Sequence, residues 1–123
     1  MELSINNDLN ECESTEDFDY FLNKIDSLSN AEVWLTVPDG AAICLLKAGE
    51  NAFLVYLREE GDSGFHSLGE SNRPGNFQVI LSNGQLDECP LAWCLESKSA
   101  YLALSYFFEN DGERAPFVCW QED

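Results

Sequence analysis

Three apolar runs in a row, each the length of a strand and parted from the next by only a few turn-forming residues, restrict this chain more than any other feature. Val33, Leu35 and Val37 alternate with Trp34 and Thr36 before Pro38-Asp39-Gly40 breaks the run. Ala42 to Leu46 follows, Ala48-Gly49-Glu50-Asn51 breaks it again, and Phe53, Val55 and Leu57 then alternate with Leu54, Tyr56 and Arg58. Period-two alternation marks strands. Connections this short force consecutive strands to pair antiparallel, so the expectation is a meander whose third strand, apolar on both faces, is central.

The residues on either side extend that sheet. Glu59 to Gly64 forms an acidic turn, Phe65 and Leu68 suggest a short strand ended by Gly69, and Ser71-Asn72-Arg73-Pro74-Gly75 turns again. Phe77, Val79 and Leu81 resume the alternation, and Asn83-Gly84 predicts a two-residue type I′ hairpin. That loop sets Ser82 opposite Gln85, Leu81 opposite Leu86 and Val79 opposite Glu88, with a short polar edge strand stopped by Pro90. Near the start, Leu3 and Ile5 suggest an opening strand and Asp8 to Glu13 a connection. Ser14 is a candidate N-cap with Asp17 in the first turn, opening a helix whose buried face is Phe18, Phe21, Leu22, Ile25 and Leu28. Leu91 to Leu95 reads as apolar and irregular, placing Trp93 near the sheet. Ser97 is a second candidate N-cap, for a helix to about Glu109 that buries Ala100, Ala103, Leu104, Phe107 and Phe108. Leu102 and Tyr106, on its opposite side, are expected to be covered, and Pro116 to Trp120 reads as a last strand. The sum is one α+β domain over residues 1–123, a mainly antiparallel sheet of five to six strands with two packed helices and with Trp34 and Trp120 in the core.

Composition then narrows function. With 23 acidic residues against 6 basic ones the net charge is −17, which opposes contact with nucleic acid or an anionic membrane, because neutralising phosphate needs Lys and Arg. The same charge suits a basic partner, or serves only solubility. Five cysteines without paired spacing suit reduced thiols better than a disulfide framework, with Cys44, Cys94 and Cys119 expected as small apolar fillers. No run is long enough to span a bilayer and no signal-peptide pattern opens the chain, so a soluble, cytoplasmic protein is expected. One His and a lone Cys89-x4-Cys94 pair do not make a metal site, no glycine-rich phosphate loop is present, and no cofactor is expected. His66 is expected as an ordinary exposed or rim residue.

Val55 to Gly75, an alternating strand followed by an acidic turn, Gly64-Phe65, Leu68-Gly69 and Arg73-Pro74-Gly75, resembles the bacterial immunity protein family one. The ending is similar too, with Phe107-Phe108, a Gly-containing turn, then Arg114, Ala115, Pro116 and a terminal strand closing on Trp120. The likeness runs from about residue 32 to the end. It implies a small α+β protein that binds the C-terminal domain of a cognate polymorphic toxin, one to one, and blocks it in the producing cell. Deaminases that modify nucleic acid are preferred as the toxin, with nucleases the alternative. The family supplies no catalytic residues. The candidate contacts are Glu59, Glu60, Asp62 and Glu70, read as clustering on the two turns around Phe65, with Phe65 and His66 as a less polar centre. Two other readings stand beside this one: a nucleic-acid mimic that inhibits DNA-binding proteins generally, and an enzyme using acidic residues on the sheet.

Overall fold

The computed structural model describes residues 1–70 and 72–123; Ser71, read above as part of a turn, lies outside them. The expected meander is present as β3 (Asn30–Thr36), β4 (Ala42–Ala48) and β5 (Asn51–Leu57), paired antiparallel with Trp34 opposite Cys44 and Cys44 opposite Val55. Around it the described residues form an eight-stranded sheet. Beyond β5 come β6 (Phe65–Leu68) and then β10 (Cys119–Glu122); beyond β3 come β1 (Glu2–Ile5) and then β2 (Asp8–Glu11). The two-residue strand β9 (Leu95–Glu96) pairs with the start of β5. The architecture is the α+β one expected, with two helices, and the sheet is larger than the five or six strands counted from sequence.

The extra strands lack apolar alternation. Asp8–Glu11 is a strand rather than a connection: Asn6 (φ 50°) and Asn7 (φ 71°) both sit in the left-handed region and close a two-residue hairpin. Its side chains point mostly to solvent, so hydrophobic periodicity never announces it. The closing strand begins at Cys119, not Pro116, because Ala115–Val118 turns first, with the Val118 amide on the Ala115 carbonyl. Cys119 is consequently exposed, whereas Cys44 and Cys94 are buried as expected.

Two helices cover one face of the sheet. In α1 (Thr15–Ser27) the Ser14 hydroxyl accepts from the Asp17 amide at 3.1 Å, the expected cap. In α2 (Ser97–Glu109) Ser97 is the first helical residue rather than the cap, since Glu96 before it is held in β9. Phe18 and Ile25 from α1 and Leu104 and Phe107 from α2 bury against Leu3, Val33, Leu35, Ile43, Leu45 and Leu54. Phe18 stacks on Phe108 with centroids 5.0 Å apart. Leu102 is 62% exposed instead of covered; Tyr106 is partly covered by Phe117, itself at the surface.

The opposite face is covered by a separate two-stranded ribbon, β7 (Asn76–Ile80) with β8 (Leu86–Pro90), and by the 3-10 turn Leu91–Trp93. Phe77, Val79 and Cys89 pack there on Cys44, Leu46 and Phe53, and Trp93 joins them near the sheet as expected. Cover on both sides explains why β4 and β5 read as nearly continuous apolar runs. The hairpin register differs by one residue from the one read in sequence. Ile80, not Leu81, faces Leu86, and Val79 faces Asp87. Within the loop Gly84 alone has positive φ (87°), the Leu81 amide donates to the Gln85 carbonyl, and the loop is therefore the three-residue type with a bulge rather than type I′. The shift sets Cys89 opposite Phe77, both facing the sheet.

Lys47 is the exception in β4. It is 4% exposed, and its ammonium donates to the carbonyls of Ile25 and Asp26, each at 3.1 Å, and of Leu28, closing the C-terminal end of α1.

Candidate partner-binding face

The six residues singled out in sequence do not form one surface. Glu59 and Glu60 are exposed on the turn after β5. Asp62 on the same turn is committed internally: Arg58 donates to it through its backbone amide, Nε and Nη2, each at 2.9 Å. These bonds hold the Asp62 carboxyl well below the usual carboxylate range, and Arg58 also reaches Glu122 at 3.4 Å. Phe65 is half-buried under guanidinium groups, with that of Arg114 4.0 Å and that of Arg58 5.2 Å from its centroid. It is scaffold rather than a free anchor.

His66 is buried, at 6% exposure, not on the rim. Its ring stacks on Trp93 at 3.9 Å, and Nδ1 lies 2.6 Å from the Asp123 carboxylate. The neighbouring Ser67 hydroxyl donates to the Trp93 carbonyl and accepts from the Leu54 amide. It is therefore occupied by the fold, and the Asp123–His66 pair activates no nucleophile there. Among the described residues no group of three or more His, Cys, Asp or Glu is placed to hold a metal ion.

Glu70 is at the wrong end of the sheet to join Glu59 and Glu60. Strands β5 and β6 run antiparallel with Val55 opposite His66 and Tyr56 opposite Phe65, so the chain leaving β6 heads back toward the start of β5, where Gly69 and Glu70 line a hollow with Asn51. Asn51 and Leu57 are the two ends of the seven-residue strand β5, about 20 Å apart at the usual rise. In that hollow, of about 820 Å³, Arg73 and Lys98 mix with Glu50 and Glu96.

What the fold does assemble beside Glu59 and Glu60 is a concavity of about 530 Å³ between two turns. One is the β5–β6 turn; the other is the β3–β4 turn, which contributes Asp39 in the left-handed conformation at φ 56°. The floor is the end of the sheet face that the β7–β8 ribbon leaves open: Trp34, Thr36, Ala42 and Leu57 line it, and none is fully buried. Register makes these residues neighbours, because Thr36 faces Ala42 and Ala42 faces Leu57. Trp34 is held from below. Its indole N–H donates to Glu32 at 2.9 Å, and Glu32 also accepts from the amide and hydroxyl of Ser82 at the ribbon's tip. Burial pushes the Glu32 carboxyl up, but these hydrogen bonds outweigh it and leave the group below its ordinary value.

Sequence reasoning found the acids of one turn, missed Asp39 and Leu57, and placed Trp34 and Trp120 in the core, whereas both are only partly buried and Trp34 lines this concavity. The signal was available in the meander itself: antiparallel strands joined by short turns bring alternate turns to the same end of a sheet. Among the described residues no helix is long and apolar enough to cross a membrane. No protein-family model matches the chain, and neither does any curated protein.

Proposed function

We propose that this chain is an immunity protein, one that binds the C-terminal domain of a cognate polymorphic toxin in the cytoplasm of the producing cell and blocks it. The toxin is read as a nucleic-acid deaminase, with a nuclease as the alternative, on the strength of the resemblance. The observation that carries the reading is how far exposed acids outnumber unengaged positive charge at the surface. Of 6 basic residues, Lys47 is buried on backbone carbonyls, Arg58 is bound to Asp62, and Arg114 lies over Phe65. Of these only Lys47 is buried; Arg58 and Arg114 stand at the surface but are engaged there by Asp62 and Phe65, while most of the 23 acids face solvent. A toxin that handles nucleic acid presents a basic surface, and such a field speeds and orients its encounter with an acidic inhibitor.

The residues that carry the resemblance support the same reading by being scaffold. Arg114 covers Phe65, the Trp120 indole donates to the Ala115 carbonyl at 2.9 Å, and Gly69 sits where any Cβ would overlap the Cys94 carbonyl oxygen. A framework of this kind leaves the contact face free to suit one toxin.

The test is calorimetry with the toxin C-terminal domain encoded immediately upstream, at two salt concentrations. The expected result is a 1:1 complex of about nanomolar Kd, near −12 kcal/mol, that persists at the higher salt. No binding overturns the proposal. Binding to unrelated basic proteins that fades uniformly as salt rises favours the nucleic-acid mimic instead.

A further inference from the structure

Resting on that reading, we infer that the concavity between the β3–β4 and β5–β6 turns receives a basic segment of the partner, with one Arg or Lys side chain laid across Trp34. Two independent features meet there. The first is an open sheet face: Trp34, Ala42 and Leu57 offer apolar surface beyond the cover of the β7–β8 ribbon. At about 530 Å³ the hollow is of the size that holds a small ligand or a few side chains. The second is the rim, where Asp39, Glu59 and Glu60 are exposed and none of the three takes part in an ion pair among the described residues.

A long basic side chain satisfies both features at once. Its alkyl stem covers apolar floor while its charged head remains among carboxylates at the edge, and an indole face attracts a cation. Trp34 is already fixed in place by Glu32, so little ordering is required on this side. Other occupants fit less well. A nucleic acid or phosphate meets three carboxylates, and a second copy of this chain brings another −17 with few free cations.

The experiment uses the whole protein, 15N-labelled, titrated with a hexa-arginine peptide in low salt and followed by amide and indole resonances. The expected shifts concentrate at the Trp34 indole, Ala42, Leu57 and Glu59 to Gly61, and the double variant E59Q/E60Q weakens the peptide by about tenfold or more. Shifts distributed evenly over the acidic surface, or centred at the Glu70 hollow, overturn the inference. Both substitutions are on an exposed turn, and an unchanged melting temperature confirms that folding is intact. The second arm uses the upstream toxin domain. If it binds wild-type protein and the charge-reversed E59K/E60K equally, the inference fails and the immunity role stands. If it binds neither while the peptide shifts map as expected, the immunity role fails and the basic-segment site stands. Where both hold, E59K/E60K slows association with the toxin domain by about tenfold or more.

Discussion

Replacing Lys47 with Met tests whether the buried ammonium holds α1 to the sheet. Met keeps nearly the same length and fills the same channel, so no sizeable cavity opens. What is lost is three charge-assisted hydrogen bonds, to Ile25, Asp26 and Leu28. Such bonds contribute about 1.5–3 kcal/mol each, and the favourable pole of the helix dipole adds up to about 2. Against this stands the desolvation of the ammonium, several kcal/mol, which Met does not incur. The Ile25 carbonyl keeps the Leu28 amide at 3.1 Å in either case. The balance is a net loss of about 2–3 kcal/mol, which for a chain this long lowers the melting temperature by about 10 °C. Urea unfolding followed by circular dichroism should show the midpoint falling with the slope unchanged. A variant as stable as wild type, or more so, would refute the reasoning: the lysine would then be only a desolvated charge the fold tolerates.

Three further outcomes follow from the same geometry. Gly69→Ala should cost about 3 kcal/mol or more, because its Cβ overlaps the Cys94 carbonyl and β6 must part from the Leu91–Trp93 turn, breaking the Gly69 amide bond to Ala92; urea unfolding reads it. Tyr56→Phe removes the 2.8 Å hydrogen bond to the Gly112 carbonyl and strands a buried acceptor, for about 1–2 kcal/mol by the same measurement. Asp62 and Glu32 both ionise more readily when folded than unfolded, so each contributes stability that is fully present above the unfolded carboxyl range near pH 4 and is lost as pH falls through the folded value. Unfolding free energies measured from pH 6 down to pH 3 should therefore fall, and D62N should fall less steeply over that window.

Much of the fold was legible where its causes are local. The Ser14 cap, the α1 stripe and the meander each depend on residues within a few positions of one another, and each is present. The hairpin at Asn83-Gly84 was legible as a turn but not in register, because one loop residue more or less exchanges type I′ for a bulged loop with the same two letters. Strand β2 escaped because an outward-facing edge strand has no apolar period; its Asn6-Asn7 turn was the usable signal. The site was less legible because it is made by register. Phe65 is taken out of play by Arg114, far along the chain, and His66 by Asp123 and Trp93. Glu70 leaves the group because antiparallel pairing carries it to the far end of the sheet, while Asp39 joins from an earlier turn.

The strands of the β7–β8 ribbon pair with each other and not with the main sheet, and apart from the Ser82 hydrogen bonds to Glu32 at its tip, its hold on the rest is mainly the packing of Phe77, Val79 and Cys89. A two-stranded ribbon has little stability alone, so it should detach as a unit at lower free energy than global unfolding. The cysteines are a built-in clock for that event. Cys119 is open to an alkylating reagent at once; Cys44, Cys89 and Cys94 are buried in the layer where the ribbon packs on the sheet; Cys12 lies in the helix-side layer. Burial pushes the Cys89 and Cys94 thiols up to about 11, so they stay quiet until the ribbon lifts and their ordinary acidity returns. Labelling should then proceed in three waves of one, three and one thiols, and the gap between the second and third measures how much more stable the sheet and helices are than the ribbon laid over them.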